Sequence, residues 1–234
     1  MVKAAITGLS HYLPDYILTN DEIATMVETN DEWITTRTGI KERHILKGEG
    51  KGSSALAIPA VRDVLEKTGT APEEVECLIC ATSSPDYAAW PSTACVIADA
   101  LNIRGAMCYD ILSACTGFLY CLQQAQAFIK SGIYKKIIIC SAEKCSSFMN
   151  PKDRTTLPLF GDGGAAALIE PSEEYGVEII FAYRTFVWNS EANDKAKVHC
   201  VICGFISNTI TPIEKNIYNG KSKISANNIN PYLI

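Results

Sequence analysis

The strongest constraint on the fold is a series of apolar runs that alternate with amphipathic segments. Val75–Thr82, Ala106–Leu112 and Lys136–Ser141 are mostly apolar along their length, which is typical of strands buried on both faces. Flanking segments such as Ser53–Lys67 and Cys115–Lys130 place apolar residues at helical spacing. This alternation predicts an α/β fold in which helices cover both faces of a mostly parallel sheet.

Local start and stop signals predict the remaining elements. They are a strand over 2–9, helices that begin at Asn20, Asp31 (ending at Gly39) and Ser92, and a glycine turn at 161–164 that leads into one more strand. Beyond residue 177 the periodicity weakens, and 178–186 and 198–206 remain as candidate strands.

Composition changes near residue 180. Residues 1–180 contain 15 Lys and Arg against 23 Asp and Glu, whereas residues 181–234 contain six against three. The second part also holds eight of the twelve asparagines. We therefore divide the chain into an N-terminal part, 1–180, and an unassigned C-terminal tail, 181–234.

The overall charge argues against two classes of partner. The chain carries a net charge of −5 and has a sequence pI of about 5.3, whereas nucleic-acid and membrane-surface binders present clustered positive charge. No apolar stretch reaches the ~18 residues of a membrane span. The first residues also lack the pattern of a cleavable leader. We expect a cytoplasmic protein with reduced thiols and no nucleic-acid or membrane partner.

Ten cysteines raise the question of a metal site. Cys77 with Cys80 and Cys200 with Cys203 form two CxxC pairs, and a double CxxC can bind zinc. Both pairs lie in apolar runs typical of strands, where residues three apart point to opposite faces. We therefore expect buried small side chains and no metal.

Cys115 is the cysteine whose setting suggests chemistry. It follows a buried strand and small residues, at the predicted start of the helix over Cys115–Lys130. Unpaired N–H groups and the positive end of the helix dipole favour the nucleophilic thiolate at such a position. Gly117 would let the helix approach the sheet closely. From the residues alone, a nucleophile and a buried cysteine in a well-packed crossover both remain open.

Several stretches of residues 1–180 form recognisable motifs: Thr19–Glu22, Asn30–His44, Trp90–Cys95, Asp110–Phe118, and Asp153–Thr156 followed by Phe160–Gly164. With these motifs the chain resembles the β-ketoacyl-acyl-carrier-protein synthase III family of the thiolase superfamily. The second stretch is long and specific to the initiating synthases. The resemblance implies a thiolase-like α/β fold, of which the chain carries the first half of two.

The resemblance also implies roles for five residues. Cys115 matches the nucleophile that takes an acyl group from acyl-CoA in a ping-pong mechanism. Trp33 and Arg154 match the pair that sandwiches the CoA adenine, and Arg37 matches a residue of the nucleotide and phosphate site. Trp90 lies where the family has an aromatic residue, usually phenylalanine, that shapes the acyl pocket across a dimer interface. Read without the family, Trp33 would more simply cover a hydrophobic edge, and Arg37 and Arg154 would be solvated surface cations.

By resemblance the chain is an acyltransferase of fatty-acid biosynthesis that condenses acyl-CoA with malonyl-acyl-carrier protein. The resemblance implies a homodimer, CoA as a substrate, and no metal or redox cofactor. His44 and Asp162 are interpreted as structural, with Asp162 holding the glycine turn.

The family's second-half motifs, Pro-His-Gln-Ala-Asn, Gly-Asn-Thr-Ser and a glycine-rich stretch, do not occur in this sequence. A truncated or frame-shifted reading after about residue 180 and a diverged short member both explain this. The alternative function is a catalytically incomplete CoA-binding fragment or partner subunit. His199, Asn227 and Asn228 lie outside the family's motifs, and a cysteine hydrolase that uses Cys115 with His199 is a more distant alternative.

Overall fold

A computed structural model describes residues 2–172, 177–187, 199–207, 215–219 and 222–226. For 177–187 and 199–207 it describes the backbone alone. The described helices are α1 (Asn20–Ala24), α2 (Asp31–Thr38), α3 (Ser54–Thr68), α4 (Thr93–Ala100) and α5 (Gly117–Ser131), with short 3-10 turns at Pro72–Glu74, Ala114–Thr116 and Cys145–Ser147. The described strands are β1 (Lys3–Tyr12), β2 (Tyr16–Thr19), β3 (Glu42–Ile45), β4 (Cys77–Ala81), β5 (Met107–Ile111), β6 (Ile137–Lys144), β7 (Asp162–Ser172), β8 (Val177–Val187), β9 (His199–Ser207), β10 (Lys215–Asn219) and β11 (Ser222–Ala226).

The central sheet contains five strands in the order β1-β7-β6-β4-β5. β4 pairs in parallel with both β5 and β6, and β7 pairs antiparallel with both β1 and β6. Four strands therefore run in one direction and β7 runs in the other. The predicted α/β class with a mostly parallel sheet is confirmed.

Helices cover both faces of this sheet, as predicted. α3 and α4 pack on one face, and α5 packs on the other. Side chains of β4 alternate between the two: Leu78 and Cys80 join the first core, and Cys77 and Ile79 join the second. Cys77 and Cys80 thus point in opposite directions, which confirms the orientation expected for this pair. The side chains of Cys200 and Cys203 lie outside the described part of the chain.

Two predicted boundaries are corrected by the structure. The predicted glycine turn at 161–164 is wrong, because β7 begins at Asp162 and its two glycines lie within the strand. A Cβ on Gly164 would come within 2.5 Å of the Leu56 carbonyl oxygen, so the missing side chain lets β7 approach α3. α5 begins at Gly117, two residues later than predicted, because Cys115 lies in the preceding 3-10 turn.

A second sheet has the order β11-β10-β8-β9. Two of its strands match the candidates at 178–186 and 198–206, whereas β10, β11 and the β2–β3 pair were not predicted. β8 crosses residue 180, where composition changes, and the division of the chain at that point stays a prediction. Within the described ranges, no helix is both long and apolar enough for a membrane span.

Candidate active site

Cys115 lies on a strained turn at the carboxyl end of β5. Its side chain is exposed, and the 3-10 turn that carries it continues directly into α5. Ala114 has a φ of 43°, in the left-handed region that a side chain disfavours. The turn is closed by Thr116, whose hydroxyl donates to the Ser113 carbonyl at 2.9 Å and lies 3.0 Å from the Ser113 hydroxyl. The thiol is therefore held at the protein surface on a fixed backbone.

Gly117 permits the close approach that the sequence predicted. A Cβ at this position would lie 2.7 Å from the Cβ of Ala81, which is nearer than side chains normally come. Ala81 is the last residue of β4 and is 2% exposed. Because α5 begins against the end of β4, the turn that carries Cys115 lies at the carboxyl ends of β4 and its neighbour β5.

A second cysteine lies beyond the same sheet edge. Ile111, Ala81 and Ser141 are level with one another in the parallel strands. Cys115 follows Ile111 by four residues, and Cys145 follows Ser141 by four. Sequence reasoning missed this neighbour, because the shared spacing has meaning only once the strand register is known.

Cys145 differs from Cys115 in its surroundings. It is partly buried, and burial together with the nearby carboxyl groups of Glu143 and Asp162 raises the pKa of the Cys145 thiol to about 11. This thiol is therefore protonated at neutral pH, whereas Cys115 is exposed. Of the two, Cys115 has the access that an acyl acceptor needs.

The structure brings Trp33, Arg37 and Arg154 together. The guanidinium carbon of Arg37 lies 4.7 Å from the centroid of the Trp33 ring, and that of Arg154 lies 5.1 Å from it. Trp33 and Arg37 are one turn apart on α2, and Arg37 donates to the Trp33 carbonyl at 3.4 Å. The Asn30 side chain caps this helix by accepting the Trp33 N–H at 2.8 Å.

Arg154 projects from a compact turn at 150–160. The carboxylate of Asp153 accepts from the Thr155 N–H at 2.9 Å, from the Thr155 hydroxyl at 2.6 Å and from the Thr156 hydroxyl at 2.7 Å. These bonds, those to Thr155 first, lower the pKa of Asp153. Asp153 thus remains ionised and fixes the turn beside Arg154.

Trp90 is 83% exposed and lies on the loop between β4 and α4. Asp110 fastens the end of that loop, because its carboxylate accepts the Thr93 N–H at 2.6 Å and the Ala94 N–H at 2.8 Å. Since Asp110 belongs to β5, the loop of Trp90 is tied to the strand that leads to Cys115.

The residues interpreted as structural make structural contacts. His44 pairs through Nδ1 with the Pro14 carbonyl at 2.6 Å. Asp162 is 3% exposed and accepts from the Leu46 N–H at 2.8 Å and from the N–H and hydroxyl of Ser146 at 2.9 and 2.6 Å. It joins three segments of the chain and does not hold a turn of its own.

Three residues from the more distant alternatives are not described at the level of side chains. Asn227 and Asn228 lie outside the described residues, and His199 begins β9 with its side chain outside them. Within the described ranges, no cluster of three or more His, Cys, Asp or Glu side chains could hold a metal ion.

Comparison with known proteins adds the family to this geometry. A family model, 3-oxoacyl-[acyl-carrier-protein] synthase III, matches residues 109–185. The chain is 53% identical over 173 residues to β-ketoacyl-[acyl-carrier-protein] synthase III 2 of Bacteroides thetaiotaomicron, covering 74% of this chain and 51% of the relative. It belongs to the β-ketoacyl-acyl-carrier-protein synthase III family. The synthase III of Phocaeicola vulgatus is 49% identical over 177 residues, which cover 75% of this chain and 53% of that one.

Solved synthase III structures share the fold. The enzyme of Aquifex aeolicus superposes with a TM-score of 0.72 at 40% identity, over 80% of this chain and 58% of that one. The chain spans about half the length of the curated relatives it matches. A second family model, the DNA-methyltransferase domain of MmeI, matches residues 163–219 and overlaps the end of the synthase match. The predicted family and the thiolase-like fold are confirmed; the roles of individual site residues remain predictions.

Proposed function

We propose that this synthase III chain transfers an acyl group from acyl-CoA to Cys115, as the first half of the condensation that forms 3-oxoacyl-acyl-carrier protein. The observation that carries the proposal is the exposed thiol on the strained turn at the end of β5. The Cys115 thiolate attacks the thioester carbonyl, the carbon–sulfur bond to CoA breaks, and CoA leaves as a thiol after taking up a proton. This exchange needs no metal or redox cofactor.

The cluster of Trp33, Arg37 and Arg154 supports CoA as the acyl donor. Indole and guanidinium planes stack well on a purine, and a purine between two planes needs about 7 Å, or two stacking distances of ~3.5 Å. Arg154 lies 5.1 Å from the Trp33 centroid. Adenine would therefore enter by lifting Arg154 roughly 2 Å from the indole, and the proposed role of Arg37 is to bind a phosphate of CoA.

The condensing step is proposed with malonyl-acyl-carrier protein as the second substrate. A CoA-binding chain that captures the acyl group without condensing it is the alternative, since the matched relatives are about twice as long. Incubation with radiolabelled acetyl-CoA, followed by malonyl-acyl-carrier protein, separates the two. Label on Cys115 that then appears as 3-oxoacyl product supports the full reaction, and retained label supports capture alone.

The matched control for this experiment is Cys145→Ala, because Cys145 is the other thiol near the site. Cys115→Ala should abolish labelling and Cys145→Ala should preserve it. Labelling that survives in Cys115→Ala would refute the proposed nucleophile.

We also propose a cytoplasmic homodimer that pairs along β5. In the described central sheet β5 is an edge strand, and large apolar side chains beside it are exposed: Leu112 by 78%, Trp90 by 83% and Met107 by 44%. A partner on this edge would cover these side chains and place Trp90 near a neighbouring acyl pocket. Light scattering during size-exclusion chromatography tests this, and a clean monomer at high concentration would refute it.

The eight described cysteines are free thiols, as the reducing cytoplasm favours.

A further inference from the structure

Arg43 is an unusual side chain in this fold because it is buried without a carboxylate partner. It is 5% exposed, and burial lowers the pKa of its guanidinium. Within the described residues no carboxylate forms an ion pair with it, and its bonds go to neutral oxygens. A buried cation in such surroundings is costly, and an apolar side chain of similar size is often as stable.

The bonds of Arg43 link the two segments that form the cluster of Trp33, Arg37 and Arg154. Its Nη2 donates to the Pro158 carbonyl at 2.7 Å, in the segment that carries Arg154. Its Nη1 donates to the Leu18 carbonyl at 3.2 Å and to the Asn20 side-chain oxygen at 2.9 Å. Arg43 therefore fastens the 150–160 segment to the end of β2 and the start of α1.

Asn20 continues this connection to α2. It is 2% exposed, and its amide nitrogen donates to the Asp31 carboxylate at 2.7 Å and to the Ile40 carbonyl at 2.8 Å. Asp31 is the first residue of α2, and Ile40 follows its last turn. Both ends of the helix that carries Trp33 are thus tied through Asn20 to Arg43.

We propose that Arg43 is a positioning residue that sets the separation of Trp33 and Arg154 and thereby the affinity for the adenine of CoA. The inference rests on the proposed function, because it assumes that this cluster receives adenine. The planar guanidinium suits the task, since it bonds Pro158 and Asn20 at once in a fixed geometry that a lysine cannot reproduce.

The test compares two ligands that differ in adenine. Binding of CoA and of 4′-phosphopantetheine is measured by calorimetry for the wild type, Arg43→Met, Arg43→Lys and Asn20→Ala. We expect each variant to bind CoA about tenfold more weakly, the scale of a lost stacking contact, and phosphopantetheine unchanged. In an Arg154→Ala background, Arg43→Met should weaken CoA no further. Arg62→Met, at an exposed arginine of α3, is the matched control and should change neither affinity.

The outcomes separate this inference from the proposed function. If wild-type protein and Trp33→Ala bind CoA equally well, adenine does not bind at Trp33, and the adenine site and the positioning role fail together, whereas acyl transfer to Cys115 is still decided by the labelling experiment. If Trp33→Ala and Arg154→Ala weaken CoA but Arg43→Met does not, or weakens both ligands equally, the positioning role alone is overturned. Thermal unfolding shows whether Arg43→Met folds. If it does not, Asn20→Ala, which keeps the bond from Arg43 to Pro158, tests the positioning role in its place.

Discussion

Substituting Gly117 by alanine tests whether close packing of α5 on β4 holds the Cys115 turn. The new Cβ would lie 2.7 Å from the Cβ of Ala81, roughly 0.8 Å inside the ~3.5 Å optimal separation of carbon atoms. Ala81 is buried in a central strand and has no rotamer that avoids the overlap. Overpacking of this kind costs ~1–3 kcal/mol, and alanine regains up to ~1 kcal/mol of helix propensity. We expect the free energy of unfolding to fall by about 1–2 kcal/mol.

Urea unfolding followed by circular dichroism measures this change, and the melting temperature should fall by about 2–8 °C for a domain of this size. The matched control is Gln123→Ala on the exposed face of α5, which should shift the free energy by less than ~0.5 kcal/mol. The double variant Gly117→Ala/Ala81→Gly removes the overlap and should show a favourable coupling energy. An unchanged or higher stability of Gly117→Ala would refute the proposed contact. So would strictly additive effects in the double variant.

Three further predictions concern buried and reactive groups. Asp162→Asn should lower the free energy of unfolding by about 2 kcal/mol, because the amide keeps one acceptor oxygen in place of two and leaves at least one of the Leu46 and Ser146 N–H groups without its partner; equal urea midpoints would contradict this. The hydrogen bond from Asn20 lowers the pKa of Asp31. This bond therefore stabilises the folded state at pH values above the ordinary carboxyl pKa, and the stabilisation is lost as pH falls through the lower pKa of the folded state. NMR titration of Asn20→Ala should show a higher pKa for Asp31 than in the wild type, and an unchanged pKa would show that the bond from Asn20 is not the cause. Iodoacetamide at pH 7.5 should modify Cys115 before Cys145, since burial raises the pKa of Cys145 to about 11; mass spectrometry showing equal rates would count against the described surroundings.

Local sequence patterns predicted the elements that local interactions determine. The helices α2 and α3 end as expected at Gly39 and Gly69, which adopt the left-handed conformation at φ values of 74° and 66°. β2 and β3 were missed because each has four residues and is defined by its pairing across the chain, with Leu18 level with Arg43. A strand that short carries no periodicity that a sequence window can detect.

The site shows the same division between local and distant information. The setting of Cys115 could be inferred from neighbouring residues, because a strand end, small residues and a helix start follow one another in the chain. The placement of Arg154 over Trp33 could not, since it depends on how a distant segment folds back onto α2. The family resemblance supplied that pair, and the structure shows them in contact. Neither the neighbouring residues nor the family resemblance pointed to Cys145.

Under the proposed function, the residues of the acyl-capture step lie in one part of the chain. Cys115, its supporting residue Gly117, the Trp33 cluster and the Arg43 connection all lie within the five-stranded sheet and the elements packed around it. Condensation requires further groups that stabilise negative charge on the second substrate, and such groups have to reach the same exposed thiol. Under the proposed function, capture and condensation are two separate steps, and retention of label on Cys115 distinguishes a protein that stops after the first step from one that completes both.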